Sequence, residues 1–62
     1  MAKHWKLEDQ ITTIDSLLSD VNRILLRTAL KGGVSGDTRS QTRYKLQKAL
    51  EVFDQLPPEG ED

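Results

Sequence analysis

The sequence predicts an all-α protein, an antiparallel two-helix hairpin that is completed by oligomerisation into a four-helix bundle. Three observations lead there. Apolar residues recur at helical spacing in two separate segments. A glycine-containing break, "LKGGVSGD", lies between them. The apolar stripes are also broader than a single facing helix needs.

The first helix is expected over residues 6–31. Leu7, Ile11, Ile14, Leu18, Val21 and Leu25 follow one another at alternating spacings of four and three residues, the rhythm of one helix face. Leu17 and Ile24 widen that stripe to about 140° at 100° per residue. Gly32 or Gly33 can take the left-handed conformation that closes a helix, and Lys31 suits the negative end of its dipole.

A loop over 32–37 leads to a second helix expected over 38–56. Asp37 and Thr38 are both N-cap residue types, and Thr38-Arg39-Ser40-Gln41 has the capping-box pattern. Leu46, Ala49, Leu50, Phe53 and Leu56 share an arc of about 120°, which is expected to face the first helix. Tyr44 and Val52 fall outside it. Pro57-Pro58 forbids continuation. Residues 1–5 are expected to be a flexible N-terminal segment. The segment 57–62, "PPEGED", has no apolar side chain and reads as a disordered acidic tail.

Composition excludes several function classes. The chain has 62 residues, enough for one small domain with a marginal core. It has no cysteine, so neither disulfides nor a cysteine-based metal site can substitute for that core. The longest apolar run, Ile24-Leu25-Leu26, is far too short to span a membrane. "MAKHWK" starts positive but has no apolar stretch behind it, unlike a secretory signal. With 31% charged residues and a net charge of −1, the expectation is a cytoplasmic protein.

The net charge hides blocks of opposite sign. Residues 1–21 sum to −2, residues 22–48 to +6 and residues 49–62 to −5. In a hairpin the basic block falls at the closed end and the acids near the termini, giving an electric dipole along the molecule. Such asymmetry bears on partners, not on fold.

No residue pattern supports catalysis. His4 is the only histidine and lies outside the helices. Glu8-Asp9 and Glu51…Asp54 are spaced as solvated acids on a helix face, and a paired-carboxylate site needs a pocket that a hairpin lacks. "KGGVSGDT" lacks the residue order of a phosphate-binding loop. No enzyme activity, cofactor, metal or small-molecule substrate is therefore expected.

Two sets of residues are candidates for binding. Leu26 and Leu30 lie off the inner arc beside Arg23 and Arg27, a combination typical of interface hot spots. With Leu56 expected opposite about Ile14, residues Trp5, Leu7 and Ile11 project beyond the second helix and need cover from elsewhere. The second set is Lys31, Arg39, Arg43, Lys45 and Lys48. Together with Arg23 and Arg27 these form the basic end, a possible anion site. Phosphate backbones are the natural ligand for such a site, but the chain is acidic overall and only Tyr44 is nearby for base stacking.

The expected function is thus a non-enzymatic protein–protein interaction module: an adaptor, regulator or co-chaperone acting as an antiparallel homodimer or by completing a partner's helical bundle. The alternative is a nucleic-acid-binding regulator using the basic closed end. In architecture alone the hairpin resembles two groups of small proteins. They are the dimeric RNA-binding hairpins that regulate plasmid copy number and the hairpin co-chaperones of type III secretion needle subunits.

Overall fold

The computed structural model describes residues 6–60. Two helices, α1 (Leu7–Lys31) and α2 (Gly36–Asp54), pack against each other as an antiparallel hairpin, and no strand occurs among the described residues. The molecule measures 47 × 19 × 15 Å with a radius of gyration of 14.7 Å. A compact chain of this length has a radius of about 11 Å. The hairpin is therefore long and thin, and only two layers of side chain lie between its helices.

Local chemistry fixes the ends. Gly32 closes α1 with φ of +83°, a conformation that costs glycine nothing, and its N–H donates to the Thr28 carbonyl at 3.0 Å. The second helix starts two residues earlier than the sequence reading placed it. Ser35, not Asp37 or Thr38, is the N-cap, its Oγ accepting from the Thr38 N–H at 3.2 Å. Asp37 then falls in the first turn, where a carboxylate meets the positive end of the helix dipole. At the other end Gln55 caps α2, and Pro57-Pro58 follows.

Two side-chain contacts between the helices set their register. Asp20 Oδ2 accepts from Lys45 Nζ at 3.4 Å, and Gln10 Nε2 donates to the Gln55 carbonyl at 3.3 Å. Gln10 thereby satisfies a backbone acceptor left free at the end of α2. This register corrects the expected one: α2 reaches back to Gln10, so Leu56 lies level with roughly residue 9 and not with Ile14. Trp5 lies outside the described residues. Ile11 does not overhang the end of α2.

The seam between the helices is made of small and polar residues. Val21, Ala49 and Val52 are its buried apolar members, and Gln10 and Thr42 are its buried polar ones. Ile14, Leu17, Ile24, Thr38, Lys45 and Leu56 are half-buried around them. This corrects a second expectation, since Val52 was assigned to the outer side of the helix and is only 8% exposed. Its neighbour Phe53, assigned to the inner arc, is 59% exposed.

Thr42 Oγ1 is buried without a hydrogen-bond partner. An unsatisfied buried hydroxyl costs about 1–3 kcal/mol, which a methyl group of the same shape does not incur. Thr42→Val is therefore expected to raise the melting temperature by roughly 4–8 °C at matched protein concentration. Calorimetry showing a lower melting temperature would mean that the hydroxyl has a partner in solution.

Candidate interaction surface

The hairpin uses only half of the helical pattern that its sequence contains. On α1 the residues facing α2 are Gln10, Ile14, Leu17, Val21, Ile24 and Thr28, alternating four and three apart. On α2 they are Thr38, Thr42, Lys45, Ala49, Val52 and Leu56, with the same alternation. Beside each of these stripes runs a second one. Its members are Leu7, Ile11, Leu18 and Leu25 on α1, and Arg39, Arg43, Leu46, Leu50 and Phe53 on α2. On a helical wheel both second stripes sit about 60–140° from the seam, turned toward the same side of the hairpin. The groove lined by Leu25, Val34, Thr42, Arg43 and Leu46 shows them meeting there.

The seven large apolar residues of this face, Leu7, Ile11, Leu18, Leu25, Leu46, Leu50 and Phe53, all keep about half of their surface in water. Leu46, Leu50 and Phe53 of α2 are thus on its open face while threonine, lysine and alanine occupy the closed one. A monomeric protein rarely leaves so large an apolar patch uncovered.

Of the residues expected to bind a partner, Leu7 and Ile11 belong to this face. Leu26 and Leu30 do not. They lie on the back of α1, 62% and 89% exposed, pointing away from α2. Arg23 stands beside them and pairs with Asp20 at 3.5 Å. Leu18, Leu25, Leu46, Leu50 and Phe53 were assigned to the inner arc and so were not seen as surface. The signal that locates them is the second stripe itself: Thr38, Thr42, Lys45, Ala49, Val52 and Leu56 keep an unbroken helical spacing one residue behind it.

The basic end is divided rather than clustered. Arg23 and Lys45 both contact Asp20, and Lys48 lies 3.8 Å from Glu51 and 6.0 Å from the centre of the Tyr44 ring. Arg27 and Lys31 line a groove with Ser35, Thr38 and Gln41 on one side of the hairpin. Arg39 and Arg43 line the apolar groove on the opposite side. The four arginines expected to present together, Arg23, Arg27, Arg39 and Arg43, are thus split between two faces. Among the described residues there is no group of acidic or histidine side chains arranged to hold a metal ion. No helix there is long and apolar enough to cross a membrane.

No family model, curated protein or solved structure matches the chain.

Proposed function

We propose that this chain is a non-enzymatic helical interaction module, an adaptor, regulator or co-chaperone that works as half of a four-helix bundle. The observation that supports this most directly is the doubled heptad pattern. Each helix in a four-helix bundle touches two neighbours and needs two adjacent stripes, whereas a hairpin by itself satisfies only one per helix. Self-association as an antiparallel homodimer is the form we favour. Insertion into the bundle of another helical protein is the other way to cover the same face.

Light scattering on the purified chain tests the reading. At micromolar concentration the expected mass is at least twice the 7.0 kDa of one chain, and the melting temperature is expected to rise with concentration, since mass action stabilises what associates. A folded monomer with a concentration-independent melting temperature, indifferent also to helical partners, would sink it.

The nucleic-acid alternative draws less support from the arrangement of charge. A phosphate backbone is best met by a continuous basic surface, and here three basic side chains contact acids while the others lie on opposite faces. Binding to a generic RNA hairpin that weakens steeply with salt would favour this alternative instead.

A further inference from the structure

We infer that the apolar face centred on Leu18 and Leu50 is covered by a second copy of this chain lying antiparallel to the first, with the two loops at opposite ends. This rests on the interaction-module reading and adds the face that is covered, the position of the two-fold axis and the charge contacts that select the orientation.

The extent of the face fits a dimer. Each of its seven large apolar side chains leaves about half its surface in water, on the order of 100 Å² apiece for groups of this size. The total of roughly 700 Å² is close to the ~800 Å² that each partner contributes to a standard interface.

Its layout is compatible with a two-fold axis across the helices. On α1, Ile11 and Leu25 lie equally far on either side of Leu18. The Asp20–Lys45 and Gln10–Gln55 contacts put Leu18 level with about residue 47 of α2, and Leu46 and Leu50 flank that level. Rotation about an axis at this height stacks α1 on its partner's α1, bringing Leu18 onto its own copy and Leu25 onto the partner's Ile11. The same rotation lays α2 on the partner's α2.

Charge selects this orientation over the parallel one. Arg39 and Arg43 are the loop-end members of the α2 stripe, and Leu50, Phe53 and Asp54 are at its other end. Antiparallel stacking sets the two arginines of one copy beside Phe53 and Asp54 of the other, an aromatic face and a carboxylate that both attract guanidinium. Parallel stacking gathers the arginines of both copies at one end, together with the rest of the basic block, and such like-charge contacts discriminate between otherwise similar packings.

A nitroxide on a Gly36→Cys variant reads the orientation. A side chain at Gly36 meets nothing within 4 Å, and the backbone there is not in the left-handed region. At 1.5 Å rise per residue the antiparallel dimer places the two labels about 35 Å apart, and a parallel dimer about 15 Å apart. A distance distribution centred near 35 Å supports the inference. A short distance overturns the orientation while leaving the interaction-module reading intact. A chain that stays monomeric by light scattering and shows no dipolar coupling overturns self-association, and capture of a defined helical partner by that monomer would then preserve the module reading alone.

Discussion

Leu18→Asp is expected to raise the dissociation constant of the assembly by a thousandfold or more, while Leu30→Asp leaves it within about tenfold. Both changes replace an exposed leucine on α1 by a carboxylate, and Leu30 is the more exposed of the two, 89% against 46%. What separates them is the face they occupy, since exposure alone would not make Leu18 the more sensitive. In the antiparallel dimer Leu18 meets its own copy, so one substitution buries two carboxylates against each other. Each loses its hydration with no cation in reach, a cost of several kcal/mol per group, and every 1.4 kcal/mol is tenfold in affinity. Light scattering over a dilution series measures the difference, with Leu26→Asp as a second control on the back of α1. A Leu18→Asp chain that associates like the unmodified protein would show the face to be ordinary surface. Dissociation caused by Leu30→Asp would return the interface to the back of α1, where the sequence alone had placed it.

The hairpin itself was legible because its signals are local. The spacing of Leu7 to Leu25, the glycines after Lys31 and the prolines after Leu56 each act within a few residues, and they locate α1, the turn and the end of α2. The start of α2 was less well marked. Ser35, Asp37 and Thr38 are all capping types within four residues, and the helix begins at the earliest of them.

The face that each stripe presents was not legible. A periodic apolar stripe shows which side of a helix avoids water, but not which neighbour covers it. Drawing the α2 arc through its largest residues therefore put Leu46, Leu50 and Phe53 inside. The helices instead approach along Thr38, Thr42, Ala49 and Val52, where small side chains permit a close seam, and the polar members Lys45 and Gln10 find partners across it. The basic block misled for a related reason. Sequence places seven cations near one end, but whether they converge depends on helix rotation and on Asp20, which contacts both Arg23 and Lys45.

Val52→Asp is expected to abolish the hairpin, and its neighbour Phe53→Asp only the assembly. Val52 is one of three buried apolar residues between the helices. Removing it forfeits about 1.5–2 kcal/mol of burial, and the introduced carboxylate adds a desolvation cost of several more. A chain of 62 residues has a total stability of roughly 3–9 kcal/mol, so the sum is enough to unfold it. Far-UV circular dichroism at a matched protein concentration should show helix content collapsing for Val52→Asp, because the lost contact lies within one chain. Phe53→Asp should lower the apparent mass while keeping the hairpin's helix content, and raising the protein concentration should restore the mass, because its lost contact lies between chains. Were Val52 on the outer surface with Tyr44, its substitution would change stability by no more than about 0.5 kcal/mol. An unchanged melting curve for Val52→Asp would therefore mean that α2 is rotated about its axis from the arrangement seen here, and the pairing of stripes across the seam would have to be redrawn.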